Sequence, residues 1–186
     1  MMPSVSIIIK KLKLTESNVL NIYQYGSRFW GDFRTNSDYD FIIILSANEK
    51  SKEGVHCENI DATLYTLEYF QEEMNMCKFL PIMIHLLKDR SIVLERVQLA
   101  FSFHRIDFKH SVLCELLRDM KMIEKMKAKG QYYKYQKIIK HSLRMGLISF
   151  KILTQGVSTF LLDEDCMSER SEEDVHRIYE KIEMET

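Results

Sequence analysis

The chain is predicted to be an α+β protein, with strands first and helices afterwards, on three observations. Short runs rich in β-branched and aromatic residues (19–25, 39–45 and 59–67) are separated by turn residues. From residue 68 onward the apolar positions recur at helical spacing. The two patterns are segregated along the chain instead of alternating, which favours α+β over a wound α/β layout.

Each element follows from its own residues. Residues 5–12 (Val-Ser-Ile-Ile-Ile-Lys-Lys-Leu) predict a short amphipathic helix, with a strand as the alternative because of the β-branched side chains. The run 19–25 is a strand that Gly26-Ser27 ends sharply, and a polar turn over 32–37 follows. The next run, Tyr39-Asp40-Phe41-Ile42-Ile43-Ile44-Leu45, is apolar on both faces, as in a central strand covered on both sides. Residues 46–56 form a loop or hairpin connection, and 59–67 a further strand. Helices are expected over 68–77, over 81–87 with Pro81 near the start, and over the two long stretches 108–129 and 131–154, parted by Gly130. The acidic tail from Asp163 forms a last helix or stays loose.

With 186 residues and 46% hydrophobic content there is enough chain for a real core. We divide it into a catalytic core, 1–100, and a helical substrate-facing segment with an acidic tail, 101–186. The net charge of −1 excludes a protein that is basic all over, so any nucleic-acid contact must come from a local patch. Cys57, Cys77, Cys114 and Cys166 form no CxxC pair, which fits reduced thiols in a cytoplasmic protein better than zinc or disulfides. No signal peptide is legible and no apolar stretch is long enough to span a bilayer, so no membrane association is expected.

The chemistry concentrates where two strands meet their turns. Asp38 and Asp40 are two apart at the mouth of a strand and share a face. Paired carboxylates repel unless a cation sits between them, and hard oxygen ligands suit Mg²⁺, or Mn²⁺ in its place. Gly26 lets the backbone turn tightly and approach a ligand, and Ser27 offers a hydroxyl and an amide to phosphates. Rival readings fail on spacing. A calcium loop from Asp32 needs Gly and Glu where Ser37 and Ile43 stand, and a P-loop from Gly26 needs Lys where Asp32 stands.

Gly26-Ser27-Arg28-Phe29-Trp30-Gly31, then Ser37-Asp38-Tyr39-Asp40-Phe41, resembles the GSRxxG…SDxDh signature of the DNA polymerase beta nucleotidyltransferase superfamily, in its minimal and RNA-repair-associated branches. The resemblance covers roughly residues 19–67. It implies a mixed sheet with flanking helices, an NTP substrate, and two-metal transfer of an NMP to a hydroxyl. It also implies that Asp38 and Asp40 hold the metals and that Gly26 and Ser27 hold the β- and γ-phosphates. Arg28 is implied to place its charge on the phosphates, and Ser37 is counted with the nucleotide site. The third carboxylate such enzymes carry on a later strand is expected at Asp61, with Glu58 nearby.

In the helical half, residues 118–144 hold nine Lys/Arg against Asp119 and Glu124. Lys137, Lys140, His141 and Arg144 recur at helical spacing and share a face. Lys140, His141 and Arg144 are similar to the histidine–arginine helix of the RNA-repair-associated branch and are taken as nucleotide-binding. The basic helices make an RNA or nucleotide end the first-ranked acceptor. A protein hydroxyl, modified with AMP or UMP, ranks second and a small molecule such as an aminoglycoside third; a catalytically silent NTP-binding scaffold is the alternative from another class. No role is assigned to His56, which lacks a second ligand pair beside Cys57, and His85 is expected to be a core residue.

Overall fold

A computed structural model of the chain describes residues 2–31, 33–46, 51–86, 91–156 and 171–185. They divide into two units, Met1–Asn75 with Leu80–Ser102 and Met76–Phe79 with Phe103–Thr186.

The first unit is built on a mixed five-stranded sheet. In chain order it contains α1 (Val5–Lys11), β1 (Val19–Tyr25), α2 (Gly26–Trp30), β2 (Tyr39–Leu45), β3 (Lys52–Cys57), β4 (Ile60–Thr66), α3 (Leu67–Asn75), α4 (Phe79–Leu86, whose first residue falls in the second unit) and β5 (Ile92–Glu95). The spatial order is β3-β4-β2-β1-β5. β2 pairs parallel with β4, and the other pairings are antiparallel. This is the mixed sheet with flanking helices that the sequence leads one to expect.

The register explains why β2 is apolar throughout. Alternate residues of a strand face opposite sides. Tyr39, Phe41 and Ile43 join Ile60 and Ala62 of β4 under Ile8 and Ile9 of α1. Ile42 and Ile44 join Tyr23 and Tyr65 under Phe70 and Met74 of α3 and Ile84 of α4. Phe41, Ile42, Ile43 and Ile44 are all fully buried, since β2 is central and both its faces are roofed.

Two elements go beyond the sequence expectation. Residues 52–57, all but the last of them in the connection expected over 46–56, form edge strand β3, which takes the hairpin alternative; positions 47–50 lie outside the described residues. β5 is not foreshadowed, being four residues long. A buried side chain fastens it: Asn21 Oδ1 accepts from the N–H groups of Arg96 (3.0 Å) and Val97 (3.1 Å), and its Nδ2 donates to the Val97 carbonyl (2.8 Å). With its amide satisfied on both sides, Asn21 is tolerated at zero exposure.

The second unit is helical. α5 (Arg105–Ala128) and α6 (Tyr132–Gln155) are parted by Gly130, which adopts φ 66°, and α7 (Glu172–Met184) packs on them. Gly146 of α6 admits α7 closely, since a Cβ there would lie 2.8 Å from Ile178. The Asp174 carboxylate accepts the Ser171 N–H (2.9 Å) and starts α7. The expected start of the acidic tail at Asp163, and Cys166, lie outside the described residues. Among the described residues no helix is long and apolar enough to cross a membrane.

Candidate functional site

β1 ends at Tyr25, and the chain turns at once into the five-residue α2 because Gly26 adopts φ 75°. Few side chains tolerate that conformation. A second constraint falls on the same residue: a Cβ built on Gly26 would fall inside the carboxylate of Asp40. The sequence expectation tied the missing Cβ to phosphates, whereas here its nearest neighbour is an acid of the site.

Asp40 stands on β2 opposite Tyr25 on one side and Asp61 of β4 on the other. Asp61 in turn pairs with His56 of β3, because the β3–β4 hairpin closes through the two residues Glu58 and Asn59, and the pair Cys57–Ile60 lies next to the turn. Four neighbouring strands therefore present Tyr25, Asp40, Asp61 and His56 in one row across the sheet. Strand alternation puts that row on the α3/α4 face, two residues beyond Tyr23, Ile42 and Thr63 on their strands. Asp38, two residues before Asp40, joins it. Asp38, His56 and Asp61 each bring one ligand atom within 4.8 Å of the others. His56 Nδ1 is 2.5 Å from Asp61 Oδ1.

Tyr25 reports the field at this mouth. Desolvation raises its pKa above the ordinary phenol value, a hydrogen bond with Thr63 opposes the shift, and the charges of Asp40 and Asp61 raise it further. Both carboxylates thus act on a single phenol.

The turn carrying Asp38 is clamped from α2. Arg28 Nε donates to the carbonyls of Ser37 (3.0 Å) and Asp38 (3.2 Å), and Nη2 donates to Ser37 as well (2.5 Å). Its guanidinium stacks over Tyr39 at 4.0 Å and Phe33 at 4.9 Å. The sequence expectation placed this charge on phosphates, but the fork is engaged with the loop that bears a carboxylate. The Ser37 hydroxyl accepts the Arg34 N–H (2.8 Å), which closes the turn. Glu58, the neighbour that could compete with Asp61, sits in the hairpin turn at φ 54° and is held by Lys11 of α1 at 2.5 Å.

The helical candidates belong to the second unit. Lys137, Lys140 and His141 are exposed on α6 and Arg144 is partly buried, opposite the buried Ile139, Leu143 and Met145. Below them Asp119 of α5 is buried and accepts the Ser142 hydroxyl (2.9 Å). His141 keeps part of its surface in solvent, yet desolvation by its neighbours lowers its pKa. Asp119 opposes the shift, and Arg144, Arg118 and Lys137 add to it. A lowered imidazole is neutral at pH 7, so the positive charge here belongs to the lysines and arginines.

No family profile and no curated protein matches the sequence. Among solved structures the chain is similar to a nucleotidyltransferase-like protein from Exiguobacterium sibiricum 255-15, with 14% identity over 90% of this chain and 68% of that one and a TM-score of 0.34. It is also similar to spectinomycin adenyltransferase AAD(9) from Enterococcus faecialis, solved with ATP and spectinomycin, with 11% identity over 95% of this chain and 96% of that one and a TM-score of 0.49. Both likenesses are distant.

Sequence reasoning missed His56. Its signal was present, because 56 and 61 are symmetric about the two-residue turn 58–59, but it is visible only once 52–57 is taken as a strand. His85 is partly buried and stacks on Phe101 with ring centroids 4.3 Å apart.

Proposed function

We infer that the chain is a metal-dependent nucleotidyltransferase that moves an NMP from an NTP to a hydroxyl acceptor, with an RNA or nucleotide end as the first-ranked acceptor. The observation that carries this reading is the row of donors. Asp40 and Asp61 are direct register partners, Asp38 lies within ligand reach of Asp61, and Gly26 is pressed against Asp40.

Clustered acids at a strand mouth are costly to keep together unless something positive meets them. The donor set fits a divalent cation, because carboxylate oxygens of Asp38 and Asp61 come within 4.8 Å of each other at a solvent-accessible mouth, with Asp40 the register partner of Asp61. In this assignment Asp38, Asp40 and Asp61 hold the metal, Mg²⁺ or Mn²⁺. Bound there, it would neutralise charge on the phosphates and make the acceptor hydroxyl more acidic. The chain's own residues do the positioning. Gly26 leaves space beside Asp40, Ser27 offers its hydroxyl and amide to the triphosphate, and Arg28 with Ser37 holds the turn that aims Asp38.

The test is incubation with each labelled NTP, Mg²⁺ or Mn²⁺, and a cell lysate, followed by separation of RNA, protein and metabolites. Label should pass to a macromolecule or metabolite only with metal present. Asp38→Ala and Asp40→Ala should abolish it while the far-ultraviolet circular dichroism stays unchanged. Near-wild-type transfer by either variant would defeat the assignment.

A further inference from the structure

We propose that His56 is a metal ligand and that it makes the site prefer Mn²⁺ over Mg²⁺, an inference that rests on the metal site assigned under Proposed function. Three observations lead there. His56 lies on edge strand β3, where its half-exposed side chain is not needed for packing. The hairpin register sets it directly opposite Asp61, which is itself opposite Asp40, so it stands at the same strand mouth as the two carboxylates. Its ring nitrogen is one of the three ligand atoms that converge there with Asp38 and Asp61.

The chemistry of that nitrogen sets the preference. Mg²⁺ takes oxygen donors in near-ideal octahedral geometry and keeps its waters. Mn²⁺ shares the carboxylate and water donors of Mg²⁺ but, as a first-row transition ion, gains more from an imidazole nitrogen, so a mixed set shifts the preference from Mg²⁺ towards Mn²⁺ without excluding Mg²⁺. A neutral imidazole also adds no charge, so the carboxylates keep their full attraction for the cation.

The alternative is that His56 only orients Asp61 through the 2.5 Å contact. Gln separates the two roles, because its amide can still donate to Asp61 but supplies no imidazole nitrogen. The full-length protein is titrated with Mn²⁺ and followed by electron paramagnetic resonance, with pulsed detection of nitrogen coupling, and Mg²⁺ is then added in competition. The wild type should show imidazole nitrogen coupled to Mn²⁺, and both His56→Ala and His56→Gln should lose it. In both variants the Mg²⁺ needed to displace half the Mn²⁺ should fall by about tenfold, the scale on which removing a tuning group weakens a metal site.

Mn²⁺ that binds the wild type without nitrogen coupling overturns the proposal and leaves the metal site standing. So does a Gln variant with the wild-type Mn²⁺/Mg²⁺ ratio, which would reduce His56 to a positioning residue. If neither ion binds, or Asp38→Asn binds Mn²⁺ as the wild type does, the proposal and the metal site fall together.

Discussion

Two regions carry clustered charge, the strand mouth around Asp40 and Asp61 and the α6 face around Lys137, Lys140 and Arg144, and they hold it differently. At the mouth the residues are set against one another: Asp61 opposite Asp40, His56 opposite Asp61, Arg28 on the Ser37 and Asp38 carbonyls, Gly26 against Asp40. On α6 the charges share a helix face, and the lysines stand in solvent over a buried Asp119–Ser142 pair. Pairing across strands fixes each residue against particular neighbours, whereas a helix face fixes only a direction. The mouth should therefore respond steeply to small geometric changes, and the α6 face gradually, through the number of its charges.

The steepest response is expected at Gly26. In Gly26→Ala the methyl meets the Asp40 carboxylate, and the residue must hold φ 75°. A non-glycine residue in that region costs about 1–3 kcal/mol. Displacing Asp40 by about 1 Å should lower turnover by roughly a hundredfold or more. Denaturant unfolding and metal titration on the same sample check both. A variant that loses stability but keeps its metal affinity would uncouple Gly26 from the carboxylates.

Arg28→Lys comes next, and it decides between two roles. Lysine keeps the charge but cannot fork onto two carbonyls or stack on Tyr39 as a plane. If Arg28 positions Asp38, metal affinity and turnover should fall about tenfold, equivalent to roughly 1.4 kcal/mol and close to the lower end of the range for charged hydrogen bonds. NTP affinity at saturating metal should barely move. The reverse pattern, intact metal binding with weakened NTP binding, would return Arg28 to the phosphates.

How much was legible follows the same division. β1, β2 and their bounds were readable because β-branched runs end at Gly26 and at the polar turn before Tyr39. That Asp38 and Asp40 share a face was readable because period-two alternation assigns a face without knowledge of neighbours, whereas Asp61 was reached through the family resemblance. β3 was not, since Lys-Glu-Gly-Val-His-Cys is mostly exposed on an edge and carries almost no apolar signal; His56 was lost with it. β5 escaped because its hold on the sheet comes largely from Asn21, seventy-five residues before Arg96. No local pattern announces such a tie. The clamp of Arg28 was hidden likewise, because a motif tells which residue recurs and not which atom it touches.

The α6 face should give a graded effect. Reversing Lys137, Lys140 and Arg144 to Glu should leave metal binding unchanged. If the acceptor is a single-stranded RNA, the slope of log affinity against log salt should flatten by about 2, near 0.7 for each phosphate that is no longer neutralised. Binding to a labelled oligonucleotide at several salt concentrations measures it. An unchanged slope would make this an ordinary solvated face, and the two regions would then differ in function as well as in geometry.

The smallest effect is expected at Glu58→Gln, and its smallness is informative. Glu58 is three residues from Asp61 and is an acid, so on sequence alone it competes for the third carboxylate. In the structure it lies in the hairpin turn, its side chain 69% exposed, paired with Lys11 at the basic C-terminal end of α1. An exposed ion pair of this kind contributes about 0–1 kcal/mol. Gln should therefore shift the unfolding midpoint little, and less still in high salt, where screening has already weakened the pair. Mn²⁺ affinity should not change, because the amide removes no donor from the Asp38–His56–Asp61 group. A loss of metal affinity on the scale of Asp61→Asn would show that the turn opens in solution and delivers Glu58 to the mouth. The row of register partners would then be the wrong description of the site. Equal unfolding midpoints with unchanged metal binding would leave Asp61 as the third carboxylate and Glu58 as a tie between α1 and the hairpin.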